Sequence, residues 1–181
     1  MPPGGSLASM RILPCLAMMI VGGAAFADPV TSARPLTLAP VVIASALQAK
    51  LRGEFGVAEG TVLQRDVSQQ LARATAKGCG SGSQSIAVVI EHAAPTHPTR
   101  QQLSDNPSLD YLRSVFLGGA TLSASVYAAD HAELARLSHS YYPDTLPRAS
   151  ASGYAWADAH LAIGQFADKV AAFCRHRTHT P

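Results

Sequence analysis

The sequence predicts an α/β (α+β) fold: a two-layer sandwich with a mixed sheet of about four strands and two main helices packed on one face, in the order β-α-β-β-β-α. Three observations predict it. Leu63, Val67, Leu71 and Ala74 recur at helical spacing ahead of the continuous apolar run Ile86–Ile90. Residues 120–128 alternate apolar and polar, and after one tight turn Glu133–Tyr142 returns with Leu134 and Leu137. Trp156, Ala159, Ile163, Phe166, Val170 and Phe173 recur at three and four, the stripe of a closing amphipathic helix.

The chain begins with an export pattern. Arg11 is the only charge before Asp28, and the apolar run Ile12–Val21 follows it. Ala25-Phe26-Ala27 supplies a small-x-small end. This predicts a secretory signal peptide over 1–27, cut near Ala27-Asp28, and a periplasmic or secreted protein. Residues 1–9 carry no charge, so Met10 reads as an alternative start. A transmembrane anchor is the other reading. The run falls short of the ~20 residues that a bilayer span needs, and Pro14 and Gly22-Gly23 interrupt it. Cys15 sits early in the run behind Pro14, so no lipid anchor is expected. No arginine pair marks a twin-arginine route, and no later segment is apolar enough to span a membrane.

Residues 28–35 read as a flexible leader, 36–176 as a single α/β domain and 177–181 as a frayed tail. Cleavage after Ala27 removes one of 14 basic residues and none of the 12 acidic ones, leaving a net charge of +1. That balance is no footprint for nucleic acid or an anionic membrane surface. Few aromatics and many alanines predict a core of small residues.

The elements follow in order. Residues 36–43 predict a first strand, at a sheet edge because of Pro40. Leu47, Leu51 and Phe55 predict a short helix or turn, ended by Gly53 and Gly56. Thr61–Lys77 predicts the first main helix, with Gly78 as its stop. A Gly/Ser linker over 80–85 leads to a strand over 86–91, expected to be buried on both faces. Residues 93–114 predict a long polar insertion. A hairpin over 120–142, a Pro/Ser loop over 143–152 and a helix over 153–175 complete the chain.

Once Cys15 leaves with the signal, Cys79 and Cys174 remain. An even pair in an oxidising compartment predicts one disulfide. The alternative is two separate thiols. A metal pair lacks a neighbouring Cys or His at ligand spacing.

The catalytic patterns are weak. His92 and His97 flank Pro95 and offer the best histidine pair for a metal, but surface histidines are the plainer reading, and no metal or cofactor is expected. Gly80-Ser81-Gly82-Ser83 follows a helix and precedes a strand, the reverse of a nucleophile elbow. Gly118-Gly119 lacks the following Lys-Ser/Thr of a phosphate loop and reads as a close backbone approach. Asp105, Asp110, Asp158 and Asp168 form no acid–base pair, and Asp158 reads as solvated. The 95–113 loop is the best candidate for ligand or partner binding, through His97, Arg100, Asp110 and Arg113. Its two arginines suit an anionic group or a partner carboxylate. A structural loop pinned by Arg–Asp pairs is the alternative.

Residues Leu117-Gly118-Gly119-Ala120-Thr121-Leu122-Ser123-Ala124-Ser125-Val126-Tyr127, with the turn Ala129-Asp130-His131-Ala132 and the return Glu133–Leu137, carry a resemblance. They resemble small bacterial envelope proteins, often lipoproteins, whose fold is similar to the N-terminal domain of TolB. The likeness extends over most of 36–174. His131 and Glu133 depart from it, standing where such turns often hold glycine. It implies an envelope location and a protein partner, and brings no catalytic residues. The expectation is therefore an exported, non-enzymatic protein that binds an envelope partner or assists envelope assembly. The rivals are a small hydrolase or metal-dependent enzyme using the 95–113 loop, and a small-ligand-binding periplasmic protein.

Overall fold

The computed structural model describes residues 37–76, 79, 84–145 and 153–178. These all belong to the unit Ser32–Pro181. The signal peptide, the leader, the Gly/Ser linker at 80–83 and the end of the tail lie outside the described residues, as do Lys77 and Gly78.

The sheet contains five strands, because the predicted first strand is two short ones. β1 (Thr37–Leu38) and β2 (Val42–Ile43) both pair in parallel with β3 (Ser85–Ala94). Pro40 lies between them. It has no N–H to give to a ladder, which is why it falls at an edge. Gln64 Nε2 donates to Val41 O at 2.7 Å, and Gln48 Nε2 donates to Ile43 O at 2.9 Å. Side chains thus occupy carbonyls that the broken edge leaves open.

β3 pairs antiparallel with β4 (Gly119–Tyr127), and β4 with β5 (Glu133–Tyr141). The β4–β5 turn holds His131 at φ 64°. β3 differs from expectation. It is not buried on both faces: Ile86, Val88 and Ile90 are buried, whereas Ala87 and Val89 are only half-buried. The register shifts between Ile90 and His92, and Ala93 takes over the buried phase. The apolar run conceals this alternation because both faces of β3 carry aliphatic side chains.

α1 (Ser45–Lys50) runs into a π-helical turn, Leu51–Phe55, which includes Gly53. α2 (Val57–Thr75) begins one turn ahead of the prediction. It buries Leu63, Val67 and Leu71. α4 (Ala157–Thr178) buries Ala159, Ile163, Phe166 and Val170, spaced to form one stripe. These side chains join Ile86, Ile90, Leu122 and Val126 in one core between the helices and the sheet. Each large aliphatic or aromatic group so buried contributes about 1.5–3 kcal/mol.

α2 and α4 run parallel, side by side. Trp156 Nε1 donates to Glu59 Oε2 at 2.7 Å, His160 meets Asp66, Gln70 donates to His160 O at 3.1 Å, and Cys79 is bonded to Cys174. These partners advance along both segments in the same direction. The disulfide brings the Cα atoms to 4.7 Å and fastens the C-terminal ends of the two helices together. Their N-terminal ends also meet, with Glu59 and Asp158 in the first turns, where a helix dipole favours an acid.

Candidate functional site

Two regions gather polar side chains. The first is the segment after β3, expected to be a polar loop. Its first five residues are instead a plug. Residues 95–99 are buried, with Thr96 at 0 % exposure and His97 at 2 %. Thr96 Oγ1 donates to Asp158 Oδ2 and accepts from the Asp158 N–H, both at 3.0 Å. The main chain of Thr96 donates to Ala155 O at 2.7 Å and accepts from Phe116 N at 2.8 Å. One threonine therefore ties the end of β3 to the start of α4 and to the returning loop. Asp158 is half-buried, not solvated, because this hydroxyl holds it.

Glycine makes that approach feasible. A Cβ on Gly118 would collide with Thr96 Oγ1 and lie 2.9 Å from Thr96 N. Gly119, at φ 154°, would press a Cβ on Tyr141 O and the Tyr142 ring.

The insertion also contains α3 (Arg100–Asp105). Thr99 Oγ1 accepts from Gln102 N at 3.3 Å, and Gln102 Oε1 accepts from Thr99 N at 3.0 Å, a capping box. After α3, Asp110 Oδ1 accepts from the N–H groups of Leu112 and Arg113 at 2.9 and 2.8 Å. The main-chain N–H of Arg113 and then that of Leu112 lower the Asp110 pKa, with the Arg113 charge as a smaller aid.

The four residues expected to bind a ligand or partner are thus placed differently from one another. His97 is buried and lies 5.8 Å from the Tyr111 ring, centroid to centroid. Tyr111 in turn donates to Gly153 O at 2.6 Å. Arg100, Asp110 and Arg113 are exposed. Three large apolar side chains are exposed as well: Leu112 at 72 %, Leu117 at 46 % and Tyr142 at 38 %. His92 is exposed on β3 while His97 is buried. Among the described residues no three His, Cys, Asp or Glu side chains gather as a metal-binding group.

The second region lies between α2 and α4. Asp66 is buried at 8 % exposure. His160 Nδ1 lies 2.9 and 3.0 Å from its two oxygens, and Gln70 Nε2 donates to Oδ1 at 3.1 Å. Beside them opens a cleft of about 610 Å³, lined also by Arg65, Arg73 and Tyr154. Tyr154 packs edge-on against His160 at 6.0 Å. Burial, then Asp66 and Glu59, push the Tyr154 pKa up, against a smaller pull from Arg65. None of this cluster stands out in the sequence. The available signal is Asp66 itself, a carboxylate three residues after Leu63 and next to Val67 on an apolar stripe.

No family model matches the chain, and no curated protein matches it. Among the solved structures of similar fold are two bacterial proteins. One is a "putative lipoprotein" from Caulobacter crescentus CB15, 14 % identical, with a TM-score of 0.39, covering 83 % of this chain and 94 % of that one. The other is a Xanthomonas campestris protein of family DUF330, 13 % identical, with a TM-score of 0.42, covering 81 % and 88 %. These are loose likenesses, and no functional statement rests on them. They do not extend to the finer resemblance to TolB.

The Caulobacter description corrects one expectation. The expectation of no lipid anchor conflicts with the description of the Caulobacter protein as a "putative lipoprotein" and is withdrawn. The place of Cys15 in the apolar run is too narrow a ground to exclude anchoring, and Cys15 lies outside the described residues. Among the described residues no helix is long and apolar enough to cross a membrane.

Proposed function

We propose that this is an exported, non-enzymatic protein of the bacterial envelope that binds a protein partner through the surface of the 100–117 segment. The observation that carries the reading is that Leu112 and Leu117 are exposed in a segment whose Arg100, Asp110 and Arg113 are exposed too. Exposed apolar side chains among polar groups and arginine match the composition of a protein interface. The segment rests on a firm base, because Phe116 donates to buried Thr96, Tyr111 meets the buried His97 ring, and Tyr111 is tied to Gly153. A preformed surface loses little ordering entropy on binding. In this reading His97 supports the surface through Tyr111, while the exposed Arg100, Asp110 and Arg113 meet the partner.

The export pattern at 1–27 and the Cys79–Cys174 pair both suit an oxidising envelope compartment. The test is affinity capture from envelope extracts. Leu112→Asp with Leu117→Asp should abolish recovery of the partner taken by the unsubstituted protein while leaving thermal stability unchanged. Undiminished recovery of that partner by the doubly substituted protein would refute the reading.

A further inference from the structure

The cleft between α2 and α4 holds two arginines. Arg65 and Arg73 both line it, and among the described residues neither guanidinium is ion-paired. Arg73 makes one local bond, Nε to Gln69 O at 3.2 Å. The two residues are eight apart on one helix, about 12 Å along the axis and on the same side of it. Tyr154 and His160 line the same cleft.

Asp66 faces the same space, but its carboxylate is engaged. Its oxygens contact His160 Nδ1 and Gln70, and its side chain is only 10 % exposed. The two arginines, in contrast, are exposed. The cleft therefore offers more positive than negative charge to whatever enters it. Its volume, about 610 Å³, is that of a small-molecule site.

We propose that this cleft binds a phosphate-class oxyanion carrying more than one negative charge. Arginine grips such groups with two parallel N–H bonds, and two arginines two turns apart suit a polyanion better than a single charge. Tyr154, whose hydroxyl burial holds in its protonated form, lines the cleft as well. The site is separate from the partner surface at 100–117 and does not rest on it.

Titration calorimetry with pyrophosphate tests it on the intact disulfide-bonded protein. A cardiolipin-vesicle flotation arm, whose headgroup carries two phosphates, distinguishes a diffusible phosphate from a lipid headgroup. Binding should weaken about tenfold in Arg65→Gln or in Arg73→Gln, the worth of one charge-assisted hydrogen-bonding group. It should be lost in the double Gln variant and partly kept when both residues are lysine. Arg52→Gln, outside the cleft, should bind as the unsubstituted protein does. Binding of vesicles alone, dependent on the same arginines, would assign the phosphate to a headgroup. The proposal is overturned if neither probe binds, or if binding survives in a folded Arg65→Gln, Arg73→Gln protein.

Discussion

Replacing Thr96 by valine removes one hydroxyl and keeps the shape of the side chain. That hydroxyl is fully buried, donates to the Asp158 carboxylate and accepts from the Asp158 N–H. The main-chain bonds of Thr96 to Ala155 and Phe116 do not involve it. Losing a bond that satisfies an N–H in the first helical turn costs about 1 kcal/mol. Losing a donor to a charged carboxylate costs a further ~1.5–3 kcal/mol, because half-buried Asp158 is then left short of a partner. Thr96→Val should therefore lower unfolding stability by about 3 kcal/mol. Thr96→Ser keeps the hydroxyl and loses one methyl, which costs about 0.8 kcal/mol. Urea unfolding followed by Trp156 fluorescence should rank them unsubstituted, Ser, Val. If Val matches or exceeds Ser, the hydroxyl does not fasten α4, and the plug owes its position to shape alone.

Three further outcomes are expected. Cys79→Ala with Cys174→Ala opens a link spanning 95 residues, for which loop entropy allows a loss of up to about 4.7 kcal/mol; a urea midpoint equal to that of the oxidised parent would contradict it. Gly118→Ala forces a Cβ onto Thr96 and should cost about 1–3 kcal/mol, read as a lower Tm, with an unchanged Tm as the adverse result. Asp110 should titrate below the ordinary carboxylate range by NMR and stay low in Arg113→Gln, because main-chain N–H groups are the larger cause; return to the ordinary value would contradict this. A pKa depressed in the fold means that these bonds favour the turn above the unfolded-state value, and that this support fades as pH falls through the lowered one.

The main helices and the hairpin are legible in the sequence because their patterns are local. Leu63, Val67 and Leu71 announce α2, and the alternation from Ala120 to Val126 announces β4. The pairing of Cys79 with Cys174 follows from arithmetic and from two helices ending together. The plug is not legible in the same way. Thr96, His97 and Thr99 are polar, and their burial depends on partners such as Ala155 and Asp158 that lie some 60 residues on. One local clue exists, the Thr99-x-x-Gln102 capping box that opens α3. Asp66 is likewise invisible as a site until the parallel packing of α2 and α4 places His160 over it. The alternation in β3 is masked by side chains that are aliphatic on both faces.

The central claim is that a partner docks on the 100–117 segment. Photo-crosslinking in the exporting cell tests it most directly, with a photoreactive residue placed in turn at Leu112, Leu117, Val57 and Leu161. All four positions are exposed, so exposure alone does not distinguish them. The account predicts one crosslinked envelope protein from Leu112 and from Leu117, and none from Val57 or Leu161. Crosslinks confined to Val57 or Leu161 would place the partner elsewhere and contradict the account.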